Sequence, residues 1–454
     1  MNNKDLLQRS LQSVWHPCTQ MKQHETYPLI PIKNGDGVWL VDTNGKRYLD
    51  GVSSWWVNLF GHNNPRIKDA IKLQLDTLEH VMLAGFTHEP VVVLSEKLAK
   101  LTGLGHAFYA SDGASAVEIA LKMSFHFWRN QNKPEKNKFI SLQNSYHGET
   151  LGALGVTDVA IFKDTYAPLL MQSAQMPSPD FRLAEIGESA EAYALRCADA
   201  LEQYVSEHSH ELAALIIEPL VQCAAGMAMY HPVYLKRARE ICSKYQVHLI
   251  ADEIAVGFGR TGTMFASYTD CAATCTFKSC AKKQDCRPDF MCLSKGITGG
   301  YLPLSVVLTR DEIYQAFYDD KVSKGFLHSH SYTGNPLACS AALATLSIFE
   351  TDNIIEKNRE TSDFIWQHMQ AFNDLPVKNL RRPNLNRSGM IFAFDVVTEN
   401  KNFSRDCYAA ALEKGLLIRP IGNTIYLMPP YTINHEEIMH ALQASIHAVS
   451  RAIK

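Results

Sequence analysis

Short apolar runs alternate with longer segments of helical periodicity through the middle of the chain. The short runs predict strands, and apolar residues three and four positions apart predict helices. The predicted strands are 106–110, 139–142, 212–218, 247–252, 290–293 and 304–309, and the clearest helices are 114–129 and 232–245. Because strands that alternate with helices favour crossover connections, this pattern predicts a large α/β domain with a mostly parallel sheet.

The two ends of the chain have a different pattern. Predicted strands at 377–381, 390–395, 416–419 and 424–428 accompany helices at 405–414 and from 435 onwards, which is typical of a smaller α+β domain. Segments 38–41 and 47–49 flank an Asn44-Gly45 turn and predict a hairpin that packs on this small domain. We therefore expect an N-terminal segment at 1–74, a large domain at 75–330, and a connecting helix with the small domain at 331–454.

The composition is that of a globular protein. The 454 residues are 46% hydrophobic and 20% charged, and 25 Gly and 19 Pro exclude a fibrous or disordered chain. Lys and Arg total 44 against 47 Asp and Glu, so we expect neither a nucleic-acid surface nor a membrane surface. No run reaches the roughly 18 apolar residues of a membrane helix. Eleven cysteines without an export signal indicate reduced thiols and a cytoplasmic location.

Asp252 is the clearest candidate for a functional residue. It ends a predicted buried strand and precedes a glycine-rich segment at 257–262. Open α/β sheets place ligand groups at the carboxyl ends of strands, and a carboxylate there must be solvated, paired or bound to a cation. The alternative is an ordinary helix cap. The glycines favour the functional interpretation, because they let the backbone pass close to a ligand.

Three further segments follow predicted strands. Lys295, which precedes a glycine-rich stretch, could form a Schiff base with a carbonyl if partly desolvated, although most lysines at strand ends are surface residues. The cluster 111–115 could hold a phosphate at a helix N-terminus or only cap the helix. Tyr146 could stack on a planar cofactor or belong to the core. Together with Asp252, these groups match the needs of pyridoxal 5'-phosphate: a lysine, an acid at the pyridine nitrogen, a phosphate site and a stacking ring.

Over essentially its whole length the chain resembles the class III (ω-type) aminotransferases of fold-type I. In that family the acid lies on the strand before the lysine, as Asp252 and Lys295 do here. Four segments narrow the resemblance to one branch of this family. They are Trp15-His16-Pro17, Ser53-Ser54-Trp55-Trp56, Ile418-Arg419-Pro420 and 425–431. It implies transfer of the amino group of S-adenosylmethionine to 8-amino-7-oxononanoate, which gives 7,8-diaminononanoate in biotin biosynthesis.

The resemblance also implies residue roles. The catalytic residues would be Lys295 as Schiff-base lysine and proton carrier, Asp252 at the pyridine nitrogen, and Tyr146 on the ring. Gly113 and Ala114 would bind the phosphate together with His330 and Ser331 of the neighbouring subunit, which implies a homodimer with shared active sites. The substrate-binding residues would be Cys18, Trp55, Tyr146, Lys295, Ser329 and Arg419.

Several positions depart from the family pattern. Cys18 stands where Tyr is usual, Glu149 where Asp is frequent, and Ser329-His330-Ser331 where Gly-Pro-Thr is common. An apparent insertion at about 267–287 contains Cys271, Cys275, Cys280 and Cys286. Four cysteines could form a zinc site, but their spacing is not that of common zinc folds. A reduced loop without metal and redox pairing are the alternatives.

Two other functions are compatible with parts of the sequence. The chain could use lysine as amino donor, or be another class III ω-aminotransferase acting on lysine, ornithine or an ω-amino acid. Arg419 and the double tryptophan argue against the second of these. A pseudoenzyme that senses metal or redox state through its cysteines is the alternative from a different class. The presence of both Lys295 and Asp252 argues against it.

Overall fold

A computed structural model of the protein describes residues 3–27, 29–268, 286–383 and 388–453. Its contacts divide the chain into two units. The central unit comprises Arg66–Glu360 and Arg382–Met390, and the terminal unit comprises Met1–Pro65, Thr361–Arg381 and Ile391–Lys454. The boundaries expected from the sequence, at residues 74 and 330, both fall inside the central unit.

The described residues form the following strands and helices. The strands are β1 (Ile32–Asp36), β2 (Trp39–Asp42), β3 (Arg47–Asp50), β4 (His106–Ala110), β5 (Lys138–Leu142), β6 (Ala174–Met176), β7 (Leu212–Ile217), β8 (Val221–Gln222), β9 (Ala228–Met229), β10 (His248–Asp252), β11 (Phe290–Leu293), β12 (Ser305–Thr309), β13 (Val377–Arg381), β14 (Phe392–Val396), β15 (Leu416–Leu417) and β16 (Thr424–Leu427). The helices are α1 (Asn3–Ser13), α2 (Ser53–Trp56), α3 (Pro65–Leu75), α4 (Glu89–Thr102), α5 (Gly113–Asn130), α6 (Leu151–Val156), α7 (Ala160–Lys163), α8 (Ala190–His208), α9 (Val233–Lys244), α10 (Asp311–Gln315), α11 (Pro336–Asp352), α12 (Ile354–Met369), α13 (Phe403–Glu413) and α14 (His435–Ala452).

A seven-stranded sheet of order β4-β12-β11-β10-β7-β5-β6 lies in the middle of the central unit. Strands β6, β5, β7, β10 and β11 are parallel, and β12 is antiparallel to both of its neighbours, β11 and β4. β7, β10, β11 and β12 are buried along their whole length, as expected of strands in a sheet covered on both faces. The predicted mostly parallel sheet is confirmed.

Helix α5 shows how the sequence positions a helix end at this sheet. Asp112 has extended backbone angles and accepts a hydrogen bond from the Ser115 N–H, so the helix begins at Gly113. The buried face of α5 packs against residues of the sheet that include Ile250 and Phe290. β4 precedes α5 and runs parallel to β10 and β11 through the intervening β12. The N-terminus of α5 and the carboxyl ends of β10 and β11 therefore lie at the same edge of the sheet.

The terminal unit contains two smaller sheets. The predicted hairpin is present as β2 and β3, which are antiparallel. β3 also pairs in parallel with β15, with Leu49 opposite Leu416, so the N-terminal segment shares a four-stranded sheet with the C-terminal part. β13, β14 and β16 form an antiparallel sheet of three strands, and α13 packs against α14.

Helix α11 belongs to the central unit because of its packing. It contacts α4 along its length, and Lys97 of α4 pairs with Glu350 of α11 at 2.8 Å. Arg66 pairs with Asp352 at the end of the same helix, at 2.9 Å. The sequence boundary at 330 assigned this helix to the small domain, since its apolar pattern alone does not show which surface it covers.

None of the helices among the described residues combines the length and the apolar composition that crossing a bilayer requires.

Candidate active site

Asp252 lies at the carboxyl end of β10 and forms a buried pair with His147. The Nδ1 atom of His147 is 2.7 Å from Oδ2 of Asp252, and the other carboxylate oxygen accepts the N–H of Ile254 at 3.1 Å. Both residues are buried. Nε2 of His147 has no hydrogen-bond partner among the described residues. A buried ring nitrogen without a partner is unusual in a folded core, and it marks this position as one built for chemistry or for a bound group.

Lys295 follows β11, the neighbour of β10. Cys292 is opposite Asp252 in the parallel pairing of the two strands, so Lys295 leaves the sheet at the same edge. Its φ of 46° lies in the left-handed region, a strained conformation that clusters at functional sites. Burial lowers the pKa of the Lys295 ammonium, and the charge of Asp252 opposes that shift. The amine is therefore available as a nucleophile and base at a lower pH than in water.

Glu218 is a second carboxyl group at this edge, immediately after β7. Its two oxygens accept the backbone N–H groups of Tyr146 at 2.9 Å and Cys223 at 3.1 Å. Burial raises the pKa of the Glu218 carboxyl to about 7, against the lowering effect of His147. Glu218 therefore fixes the backbone of the Tyr146 segment. At neutral pH its carboxyl group is near its pKa, so the protonated and ionised forms are both populated.

The N-terminus of α5 forms a close-packed cradle with two neighbouring segments. A Cβ atom on Gly113 would lie 3.0 Å from the side chain of Ile254, and one on Gly148 would lie 2.6 Å from Cβ of Ala114. Gly148 has a φ of 123°, which L side chains rarely adopt. These contacts bring the Asp252, Tyr146 and 111–115 segments together at a helix N-terminus, where backbone N–H groups favour an anion.

Tyr146 is half-buried at the start of the segment that ends in this cradle. Its hydroxyl donates to Glu149 at 2.9 Å, and its ring lies 5.5 Å from that of Phe162. Glu218 therefore fixes the backbone of Tyr146, and Glu149 fixes its hydroxyl group.

Residues 328–331 lie beside α5 in the same unit. Nδ1 of His328 is 2.7 Å from Nζ of Lys122, and Nε2 of His328 is 3.1 Å from Nε2 of His330. Burial and the charge of Lys122 lower the pKa of His328, which favours a neutral ring next to the lysine. Ser329 and Ser331 are exposed.

Three of the predicted substrate residues belong to the terminal unit and meet there. The guanidinium carbon of Arg419 lies 4.5 Å from the ring centroid of Trp55, and Nη2 of Arg419 is 3.5 Å from the carbonyl oxygen of Cys18. Trp55 is 41% exposed, whereas the adjacent Trp56 is buried.

Comparison with known proteins shows the family of the chain. The family model for aminotransferase class III matches residues 20–449. The chain belongs to the class III aminotransferase family. An adenosylmethionine-8-amino-7-oxononanoate aminotransferase of Helicobacter pylori is 48% identical, over 99% of each chain. The predicted family and fold class are confirmed.

Two solved structures from this comparison are similar throughout. The adenosylmethionine-8-amino-7-oxononanoate aminotransferase of Methanocaldococcus jannaschii matches with a TM-score of 0.89 and 35% identity, over 99% of each chain. The ω-transaminase of Pseudomonas jessenii, in complex with PMP, matches with a TM-score of 0.89 and 27% identity, over 98% of each chain. The fold is therefore that of the class III aminotransferases.

The class III aminotransferase family implies pyridoxal phosphate, and the residues of the central unit fit this group. Lys295 supplies an amine with a lowered pKa, and the pair of Asp252 and His147 supplies a buried carboxylate whose partner ring has an unpartnered nitrogen. Gly113 and Gly148 allow the segments around the N-terminus of α5 to pack closely, since a Cβ on either would press against Ile254 or Ala114, and a helix N-terminus suits a phosphate. The chemistry of the donor set is thus that of a pyridoxal phosphate site.

The cysteine-rich insertion falls almost entirely outside the described residues. Cys271, Cys275 and Cys280 lie there, so the zinc hypothesis remains a prediction. Cys286 is described and buried. Among the described residues, no group of three or more His, Cys, Asp or Glu could hold a metal ion.

Two residues of the site were not predicted from the sequence. Glu218 was visible only as an acidic interruption in the apolar run 212–220, and His147 only as a neighbour of Tyr146. A charged residue inside a fully apolar strand was the available signal for Glu218, because a buried carboxyl group requires partners. The partner of His147 is 105 residues away in the chain, so no local pattern reveals it.

Proposed function

We propose that this protein transfers the amino group of S-adenosylmethionine to 8-amino-7-oxononanoate, producing 7,8-diaminononanoate for biotin biosynthesis. The observation that carries the proposal is the convergence of Lys295 and the Asp252–His147 pair at one edge of the sheet, in a chain 48% identical to a relative named for these substrates. Pyridoxal phosphate, when bound, supplies the electron sink that makes removal of an α-proton from the donor feasible.

Lys295, Asp252 and Tyr146 are assigned to the chemical step. Nζ of Lys295 would hold the cofactor, and as a base it would remove the proton from the donor carbon and return a proton to the acceptor in the second half-reaction. Asp252 would hold the ring nitrogen of the cofactor, and the hydrogen bond with Nδ1 of His147 orients its carboxyl group. Tyr146 orients the cofactor ring by stacking.

Binding of the phosphate is assigned to the N–H groups of Gly113 and Ala114 at the N-terminus of α5. His330 and Ser331 of a second copy complete this site, which requires a homodimer. The exposed position of Ser331 supports that assignment, since its hydroxyl is available to another subunit. We place the enzyme in the cytoplasm. The free thiols at Cys197, Cys223, Cys242, Cys292, Cys339 and Cys407 are those of a protein kept reduced.

The substrates are assigned to Trp55 and Arg419, together with Cys18, Tyr146, Lys295 and Ser329. The acceptor is a methylene chain that ends in a carboxylate far from its ketone. Arg419 binds such a carboxylate through two parallel hydrogen bonds, and the exposed indole of Trp55 covers the methylenes. The same indole face suits the sulfonium cation of S-adenosylmethionine.

The experiment is a donor competition with product analysis. Purified enzyme is incubated with 8-amino-7-oxononanoate and one donor, which is either S-adenosylmethionine labelled with ¹⁵N at its amino group or lysine labelled with ¹⁵N at both amino groups. Mass spectrometry then follows the label into 7,8-diaminononanoate. We expect labelled product from S-adenosylmethionine. If only labelled lysine gives labelled product, lysine is the amino donor instead of S-adenosylmethionine. Absence of product with both donors would overturn the proposed function.

Two variants control this assay. Lys295→Ala removes the amine that transfers protons, so we expect turnover to fall by at least about 10³-fold. Lys414→Ala changes an exposed lysine of the terminal unit and should leave turnover unchanged. Native turnover in Lys295→Ala would show that Lys295 is not the catalytic amine.

A further inference from the structure

The backbone around Trp55 has a rare conformation. All four residues of α2 have positive φ: 51° at Ser53, 47° at Ser54, 72° at Trp55 and 73° at Trp56. The ψ angles of Ser54 and Trp55 are 51° and 47°, so α2 is a left-handed turn. Residues with a Cβ avoid this conformation, because Cβ crowds the following carbonyl oxygen. The contacts around α2 must therefore impose it.

Asp50, at the end of β3, binds the turn at its second residue. One carboxylate oxygen accepts the Ser54 N–H at 2.9 Å, and the other accepts the Ser54 hydroxyl at 2.7 Å. The side chain of Asp50 is fully buried. A buried carboxylate that accepts both donors of one residue fixes the orientation of that residue, because hydrogen bonds to a charged acceptor are strong.

His62 holds Asp50 in place. Its Nε2 lies 2.9 Å from Oδ2 of Asp50, and its Nδ1 lies 3.2 Å from Nδ2 of Asn58. The amide NH₂ of Asn58 only donates, so Nδ1 accepts and Nε2 carries the hydrogen that points to Asp50. Asp50 therefore accepts three side-chain and backbone hydrogen bonds, and rotation of its carboxylate would break them together.

The two ends of the turn are fixed separately. The hydroxyl of Ser53 donates to the carbonyl oxygen of Met428 at 2.7 Å, and Nε1 of Trp56 donates to the hydroxyl of Tyr426 at 3.1 Å. Between these anchors, Trp55 remains exposed with Arg419 against its ring. The left-handed turn thus buries the indole of Trp56 and leaves that of Trp55 exposed.

We propose that Asp50 is a positioning residue of the substrate-binding surface, where it imposes the left-handed turn and so sets the Trp55 indole against the Arg419 guanidinium. A return of Ser54 to right-handed or extended angles would redirect the following Cα–Cβ bond and move the indole away from Arg419. The inference rests on the proposed function for the identity of the substrate. Its structural part depends only on the terminal unit.

A kinetic experiment compares Asp50→Asn with Asp42→Asn in the holoenzyme. Asp42 is a second buried carboxylate of the same sheet, and one of its oxygens accepts the N–H groups of Asn44 and Lys46 in the hairpin turn. In Asp50→Asn we expect the KM for 8-amino-7-oxononanoate to rise roughly tenfold or more, with kcat within about twofold of the native value. Asp42→Asn should leave both constants within about twofold. An unchanged KM in a folded Asp50→Asn enzyme, or an equal rise in both variants, would overturn the proposal.

A spectroscopic experiment tests the positioning without any substrate. The enzyme is labelled with 5-fluorotryptophan, and the ¹⁹F resonance of Trp55 is assigned by its loss in Trp55→Phe. We expect this resonance to move in Asp50→Asn and to stay in place in Asp42→Asn. If the native enzyme fails to transfer the amino group between the proposed substrates, the proposed function is wrong while this spectroscopic result still decides the role of Asp50.

Ser54→Ala is a second variant that tests the proposal even if Asp50→Asn does not fold. It removes the hydroxyl that donates to Asp50 and keeps the N–H of residue 54. We expect a smaller shift of the Trp55 resonance in the same direction and a smaller rise in KM. A Ser54→Ala enzyme with native resonance and native KM would contradict the proposal.

Discussion

The imidazole of His147 and the carboxylate of Asp252 form a buried pair, with 2.7 Å between Nδ1 and Oδ2. The second nitrogen of His147 has no partner among the described residues. The hydrogen bond with His147 therefore fixes the orientation of the Asp252 carboxyl group at the carboxyl end of β10.

Replacement of His147 by Leu, which has a similar volume and no hydrogen-bond donor, should weaken cofactor binding. Loss of a hydrogen bond to a buried carboxylate costs about 1.5–3 kcal/mol, so we expect the dissociation constant of pyridoxal phosphate to rise roughly ten- to hundredfold. Quenching of tryptophan fluorescence during titration of the apoenzyme measures it. His248→Leu is the matched control, because His248 is a buried histidine of β10 that bonds Ser124 instead. Equal cofactor affinity in His147→Leu and the native enzyme would refute this role.

Gly148→Ala tests the cradle at the N-terminus of α5. The added Cβ would lie 2.6 Å from Cβ of Ala114, so the helix start must shift and the N–H groups that face the phosphate move with it. We expect the dissociation constant of pyridoxal phosphate to rise about tenfold or more. Gly187 also has a positive φ, but a Cβ there would meet nothing within 4 Å. Gly187→Ala should therefore lower stability by only about 1 kcal/mol and leave cofactor affinity unchanged.

The stability of the apoenzyme should fall as pH rises from about 4.5 to about 7. Burial raises the pKa of the Glu253 carboxyl from 4.5 to about 7, although Ser267 lowers it by donating hydrogen bonds. The folded protein then binds a proton that the unfolded chain has lost, so this contribution is complete below pH 4.5 and disappears as pH rises to about 7. The expected slope is up to about 1.4 kcal/mol per pH unit.

Thermal unfolding of the apoenzyme at pH 5.5, 6.5 and 7.5 measures this dependence. Glu253→Gln should flatten it, since the neutral amide resembles the protonated acid. Glu118→Gln is the control, because Glu118 also accepts two backbone N–H groups, from Gly152 and Ala153. The same pH dependence in Glu253→Gln as in the native protein would assign it to other groups.

Arg419→Lys tests the binding of the acceptor carboxylate. Lysine keeps the charge but loses the planar fork that makes two parallel hydrogen bonds. We expect the KM for 8-amino-7-oxononanoate to rise roughly ten- to hundredfold and kcat to change little. Steady-state kinetics with varied acceptor provide the measurement. Arg405→Lys alters an exposed arginine that pairs with Asp406 and should behave as the native enzyme. A normal KM in Arg419→Lys would remove Arg419 from the substrate site.

Hybrid dimers test the shared active site. Lys295→Ala lacks the catalytic amine, and Ser331→Asp places a negative charge where the phosphate of the partner subunit is proposed to bind. If the two residues act across the dimer, mixing the inactive variants creates one native site in each hybrid dimer. Random exchange should then restore about one quarter of native activity. No recovery after complete exchange would show that Ser331 does not serve the partner's site.

Local patterns in the sequence were sufficient for several elements of both units. β4, β11 and β13 have the bounds expected from the apolar runs, and α5 begins one residue before its expected start. The hairpin of β2 and β3 forms around Asn44-Gly45 as expected. These elements depend on hydrophobic periodicity and turn residues, which are properties of neighbouring positions in the chain.

The sequence by itself determined the family, the sheet and the positions of Lys295 and Asp252, because each depends on short segments whose residues act locally. Only the tertiary structure decided what these groups contact. The pairing of His147 with Asp252 joins residues far apart in the chain. The left-handed turn at 53–56 is likewise anchored to distant residues, through Ser53 to Met428 and through Trp56 to Tyr426. Burial also shifts the pKa of Lys295 downward and that of Glu218 upward. Burial, long-range pairing and imposed strain arise from the packed chain as a whole, and no local pattern contains them.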